Sequence, residues 1–238
     1  MKTLIIVPAF NEEQNIGKVL KNFGSTCAEY DYDLLVINDC SRDKTEQELR
    51  NLRIKHLTLP INLGIGGAVQ AGYCYALKNN YDIAIQVDGD GQHDMAYIPE
   101  MVKLLEKEEA DIVIGSRFID KEGFQSSATR RLGINLLSGL IQICTGKKIY
   151  DVTSGLRAVN RRFIEIYADS YPDDYPEPEA IVAAVMYQGA IQEFPVIMHE
   201  RTSGKSSINF RKSIYYMIKV SLAIIVCRVS FGFRREPK

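Results

Sequence analysis

Residues 82–94 read DIAIQVDGDGQHD, an apolar run ending in a turn that holds Asp88, Asp90, Asp94 and His93. The run is short, rich in isoleucine and valine, and lacks a clean alternation of apolar and polar residues. That is how a strand covered on both faces reads, as in a parallel sheet. Carboxylates this close repel one another, so the turn either surrounds something cationic or is well solvated. Asp88 and Asp90, one glycine apart, are spaced to face a single divalent ion, and Gly89 and Gly91 permit the tight backbone this needs. Hard oxygen ligands of this kind favour Mg²⁺ or Mn²⁺, with substrate phosphates completing the shell. Asp-x-Asp alone is also common in ordinary turns. His93 is open to reading as a ligand or a substrate contact, and is taken here as a surface histidine.

Similar runs stand at 3–7, 33–38, 54–59 and 111–115, and helical periodicity fills the gaps. Ile16, Val19, Leu20 and Phe23 recur at i, i+3, i+4 and i+7, as do Ile98, Met101, Val102 and Leu105. Val69, Gly72, Tyr73 and Ala76 repeat the spacing with smaller residues. Strand alternating with helix through residue 115 predicts right-handed βαβ units, hence an α/β fold with a mostly parallel twisted sheet flanked by helices. No repeat or Pro/Gly-rich linker divides the 238 residues, so one domain is expected over 1–210, with a C-terminal amphipathic helical extension over 211–238.

Ligands of such sheets bind beyond the carboxyl ends of the strands. The turns there are PAFNEE (8–13), NDCSRDKT (38–45), NLGIGGA (62–68) and the aspartate turn. Asp39 is placed to accept hydrogen bonds from a ribose or a base, while Asp43 suits a helix cap. A dinucleotide fingerprint starting at Gly64 would need glycine at 69, where Val69 stands, so a dehydrogenase reading is poor.

Net charge is −1, but from His199 onward nine Lys or Arg face two Glu, giving +7 there and −8 before it. That imbalance suggests an anionic partner for the tail, or a solvated end. Five cysteines without paired spacing argue against a disulfide framework or a zinc cluster and fit a reducing cytoplasm.

The ordered set PAFNEE, INDCSRDKT, NLGIGGA, DGDGQHD, GSRF, DVTSGLR and ER-x-SGKSS, running from about residue 3 to 210, resembles glycosyltransferase family 2, and within it the dolichyl- or polyprenyl-phosphate sugar synthases. The resemblance implies a GT-A fold, a nucleotide-sugar donor, a divalent ion and inverting displacement. It implies that Pro8, Ala9 and Glu12 line the nucleotide pocket and that Asp39 holds the base or ribose. Asp88 would contact the nucleotide side, and Asp90, assisted by Gln92, would bind the metal bridging the pyrophosphate. NDC at 38–40 departs from the family's more usual two acidic residues and glycine, which leaves the base open.

The second half reads as acceptor machinery. Arg117 follows a strand, Arg130 and Arg131 open the next helix, DVTSGLR supplies Asp151, Ser154 and Arg157, and ERTSGKSS supplies Arg201 and Lys205. Guanidinium forks and Ser-Gly amides suit a diphosphate and a phosphate nucleophile, although any one arginine is equally at home on a surface. A hydroxyl acceptor needs a carboxylate base, whereas a polyprenyl phosphate is already ionised. Glu179 in YPDDYPEPEAI is the expected base for a saccharide acceptor, with Asp151 second; Glu177 and Glu179 also suit a plain helix N-terminus.

SIYYMIKVSLAIIVCRVSF (213–231) is apolar but broken by Lys219 and Arg228, too short a run to span a bilayer. A helix lying in the interface is expected, attached peripherally to the inner face of the membrane; a core helix or a membrane-protein partner is the competing account. Nucleic acid is not expected, because the tail's basic residues alternate with aliphatic rather than stacking side chains. The expected function is transfer of a hexose from a nucleotide sugar to a polyprenyl-phosphate or lipid-linked saccharide acceptor in cell-envelope polysaccharide or glycan synthesis. A nucleotidyltransferase or a non-catalytic nucleotide- or lipid-binding relative is the alternative.

Overall fold

The computed structural model describes residues 1–123, 128–174, 176–199 and 210–234. Five strands fall on the predicted runs: β1 (Thr3–Ala9), β2 (Tyr32–Asn38), β3 (His56–Thr58), β4 (Ile83–Gln86) and β5 (Ile112–Ser116). The two others, β6 (Arg157–Asn160) and β7 (Ile191–Pro195), were not legible from hydrophobic pattern. They complete a sheet of order β3-β2-β1-β4-β6-β5-β7. All pairings are parallel except those of β6, which runs antiparallel to both β4 and β5.

Between them run α1 (Ile16–Thr26), α2 (Thr45–Asn51), α3 (Gly64–Lys78), α4 (Ile98–Glu106), α5 (Ala128–Thr145), α6 (Arg161–Asp169), α7 (Pro176–Met186) and α8 (Phe210–Arg234). All seven residues of β1 are buried. Its side chains alternate between two cores: Leu4 and Ile6 pack with α3, α5, α6, α7 and α8, while Ile5 and Val7 pack with α1, α2 and α4. Each such fully buried aliphatic contributes roughly 1.5–3 kcal/mol. This two-sided cover is why the strands read as unbroken apolar runs.

Helix α8 leans on the domain through Val220 and Ile224, both buried in the core beside α5 and α7. It runs parallel to α5. Near one end a Cβ on Gly133 would meet Met217 Sδ at 3.1 Å, and eleven residues further along both helices Arg228 Nε donates to the Cys144 carbonyl at 2.8 Å. The outward faces of the pair expose Leu132, Leu136 and Ile143 on α5 and Tyr215, Ile218, Leu222, Ile225 and Val229 on α8. Among the described residues no helix is long and apolar enough to cross a membrane.

Candidate active site

Beyond the carboxyl ends of β1, β2 and β4 lies a cleft of about 370 Å³. Pro8, Ala9, Phe10 and Glu12 line it from the end of β1 and Asp39 from the end of β2. Asn62, Gly64, Ile65 and Ala68 come from the start of α3, and Asp88, Gly89 and Asp90 from the turn after β4. Glu177, in the first turn of α7, closes the far wall. The predicted nucleotide residues Pro8, Ala9, Glu12, Asp39 and Asp88 therefore share one cavity with Asp90.

Local chemistry holds each in place. The tight turn after β4 presses on β1: a Cβ at Gly89 would stand 2.7 Å from the Pro8 carbonyl. Asp90 Oδ1 accepts the Gln92 amide at 3.0 Å, which curls the turn. Gln92 Nε2 donates to the His199 carbonyl at 3.0 Å. Asp39, 3% exposed, accepts the Leu63 and Gly64 amides at 2.7 and 2.9 Å, one on each carboxylate oxygen. It thus caps α3 as well as facing the cleft. Asp43 makes the cap expected of it, accepting the Thr45 amide at 2.9 Å ahead of α2.

His93 is not a surface residue. It is 4% exposed, and its Nε2 stands 3.4 Å from Asp88 Oδ2. Burial alone would raise the Asp88 carboxyl; the hydrogen bond and charge of His93, with Gln86 and Arg117, outweigh it and hold Asp88 below the ordinary carboxylate range. Glu177 goes the other way. Burial, reinforced by the charge of Asp88, pushes it up to about 7 against the pull of Arg157.

The sequence profile described as "Glycosyl transferase family 2" matches residues 4–167. The chain belongs to that family. An uncharacterised protein of Methanocaldococcus jannaschii is 32% identical over 195 residues, covering 81% of this chain and 79% of that one. The polyprenol monophosphomannose synthase of Mycolicibacterium smegmatis is 26% identical over 229 residues, covering 90% and 84%. Glucosyl-3-phosphoglycerate synthase from Mycobacterium tuberculosis, solved with Mn²⁺ and uridine-diphosphate-glucose, superimposes with a TM-score of 0.71 at 19% identity, covering 95% and 78%. This chain is a glycosyltransferase of GT-A fold.

The acceptor side of this glycosyltransferase departs from expectation in four places. Asp151 is fully buried, so it is not accessible as a base. Arg117, 4% exposed, turns its fork inward onto Asp151, with Nε to Oδ2 and Nη2 to Oδ1 both at 2.6 Å, rather than toward a phosphate. Ser154 is 2% exposed and builds its own turn, accepting the Leu156 amide at 3.3 Å. Glu179 lines a different cavity, of about 450 Å³, between α7, residues 170–174 and α8. Burial and then Asp173 raise its carboxyl there. Glu177 and Glu179 are two residues apart on a helix, roughly 200° of rotation, so only one of them can face the cleft. Arg131 packs over the Phe118 ring, 5.4 Å from its centroid, with Arg117 at 5.1 Å from the same ring. Arg201 and Lys205 lie outside the described residues.

Proposed function

We propose that this glycosyltransferase moves a hexose from a nucleotide sugar to a polyprenyl phosphate at a membrane surface, with inversion at the anomeric carbon. The observation that carries the reading is the meeting of Asp39, Asp88 and Asp90 in one strand-end cleft. Relatives named for polyprenol and undecaprenyl phosphate, at 26% and 27% identity, support the acceptor.

The residues fit a divalent cation. Asp88 and Asp90 offer hard oxygens on one wall, while Gln92, expected to assist, is not among the cleft-lining residues and donates its amide to the His199 carbonyl. Among the described residues no three His, Cys, Asp or Glu side chains form a ligand set, so diphosphate oxygens and water would complete the shell. Mg²⁺ or Mn²⁺ bound there would shield the charge of the departing nucleoside diphosphate. Pro8, Ala9, Glu12 and Asp39, which line the cleft together, hold the nucleoside. An ionised phosphate nucleophile needs positioning and charge shielding only, which Arg131, Arg201 and Lys205 would supply.

The exposed apolar faces of α5 and α8 support peripheral attachment to the inner leaflet, the basic tail facing lipid headgroups. A second reading, transfer to a lipid-linked saccharide, is favoured by one observation: Glu177 lines the cleft, where a hydroxyl acceptor would need a base.

Nucleotide sugars incubated with the protein, Mn²⁺ or Mg²⁺ and short polyprenyl phosphates, followed by mass spectrometry of the lipid, test the proposal. A glycosyl phosphopolyprenol supports it. Sugar appearing only on saccharide acceptors, with Glu177→Gln inactive, establishes the second reading instead.

A further inference from the structure

Asp88 occupies a built seat with two walls. On one side His93 Nε2 stands 3.4 Å from Asp88 Oδ2, while His93 Nδ1 is buried with no hydrogen-bond partner among the described residues. An unpaired buried polar atom costs roughly 1–3 kcal/mol, so a ring that served only to fill space would be better as an apolar one. The cost is retained at the one residue whose other nitrogen meets Asp88.

On the other side is Gly155. A Cβ there would lie 2.1 Å from Asp88 Oδ2, 2.2 Å from Oδ1 and 2.3 Å from Cγ, so the carboxylate fills the space any side chain at 155 would need.

Both walls are tied to their neighbours. The His93 carbonyl accepts Asn22 Nδ2 at 3.3 Å, and His93 bridges antiparallel to Met198. The turn carrying Gly155 is stapled by Arg157, 4% exposed, whose guanidinium reaches three carbonyls: Ser154 at 2.9 Å, Val152 at 3.2 Å and, across on α7, Glu177 at 2.7 Å.

We infer that His93 and Gly155 are positioning residues that fix the rotamer of Asp88, His93 as the donor to Oδ2 and Gly155 by leaving the carboxylate its space. Neither lines the cleft; both act through the carboxylate that does, which would face a bound cation and diphosphate. The inference rests on the proposed use of a nucleotide sugar, and its test reads binding rather than turnover.

Calorimetric titration of the intact chain with UDP and with GDP, each with Mn²⁺, is compared for the wild type, His93→Leu, His93→Gln and Gly155→Ala, with thermal melting alongside. His93→Leu and Gly155→Ala should each weaken nucleotide binding by about 10–100-fold, the usual effect of removing a partner that orients a metal-facing group. His93→Gln, whose amide nitrogen reaches close to the Nε2 position, should recover most of that loss.

Wild-type binding by His93→Leu or by Gly155→Ala overturns the inference, as does a His93→Gln that falls as far as His93→Leu. If His93→Leu does not fold, Gly155→Ala decides alone, weak binding supporting the slot and wild-type binding overturning it. A wild type that binds nucleotide yet transfers no sugar defeats the proposed function and leaves the slot standing. A wild type that binds neither of these, nor ADP or dTDP tested in the same way, defeats both.

Discussion

Arg117 grips Asp151 through both arms of its guanidinium, and its own backbone amide donates to the same carboxylate at 3.1 Å. Neither side chain is more than 4% exposed. A pair so buried is a structural joint between the end of β5 and the turn before β6. Breaking one half leaves a charge with no water to receive it, at about 3–5 kcal/mol. Asp151→Asn is therefore expected to melt well below the wild type, its lost turnover following the unfolded fraction in a urea titration. Full stability with lost turnover would restore Asp151 to the role of base.

Asp90→Ala should behave in the opposite way. The substitution removes a cleft carboxylate whose bond to the Gln92 amide is worth about 1 kcal/mol, so most of the fold's stability should remain. Transfer should fall by at least about 100-fold, the scale of losing one electrostatic element that acts on developing charge. Circular-dichroism melts beside product assays separate the two effects, and unimpaired transfer would move the cation site elsewhere.

Glu46 gives the chain a predictable acid limit. Hydrogen bonds, first from the Thr58 hydroxyl and then from Arg50 and Asn38, outweigh burial and hold its carboxyl at about 2, below an ordinary value of 4.5. A depressed carboxyl contributes stability that is fully present above its unfolded pKa and is lost as pH falls through the folded one. The window is therefore pH 4.5 down to 2. With the side chain 26% exposed, solvent screening reduces the contribution to about 1–2 kcal/mol. Glu46→Gln should melt lower than the wild type at pH 7, with the gap closing toward pH 2 in parallel unfolding curves.

The outward stripe on α5 and α8 sets a fourth expectation. Leu136→Asp combined with Leu222→Asp places two charges on a face that is 62% and 57% exposed at those positions, so folding should survive. Sedimentation with vesicles of anionic lipid should drop several-fold, and transfer to a vesicle-embedded polyprenyl phosphate should drop with it. Transfer to a short, water-soluble analogue should stay near the wild-type rate. Equal binding of variant and wild type to vesicles would remove this face from the membrane.

What the amino-acid order disclosed, and what it withheld, follows from range. β1, β2, β4 and β5 are covered on both faces, so each announces itself as an apolar run, and turns that follow such runs inherit their place at the sheet edge. β6 reads only RAVN, and in β7 no residue is fully buried, so neither carries a pattern of its own. Asp39 caps a helix that begins 25 residues later, a bond that exists only once β2 and α3 are neighbours. The phase of α7, which turns Glu177 into the cleft and Glu179 away, depends on how that helix docks. The same holds for the inward fork of Arg117: residue type advertised a phosphate ligand, and packing made it a buried ion pair.

β4 has only four residues, aligned with β1 from Thr3 opposite Ile83 to Ile6 opposite Gln86. Side chains on a strand alternate sides, so deleting a single residue between Ile83 and Val87 would swing Asp88 to the wrong side of the sheet and draw its turn back by about 3.3 Å. Insertions in the surface loops leave that alignment untouched. Length is thus least negotiable in one of the shortest strands of the molecule, and a frame-preserving deletion scan should find its deepest trough there.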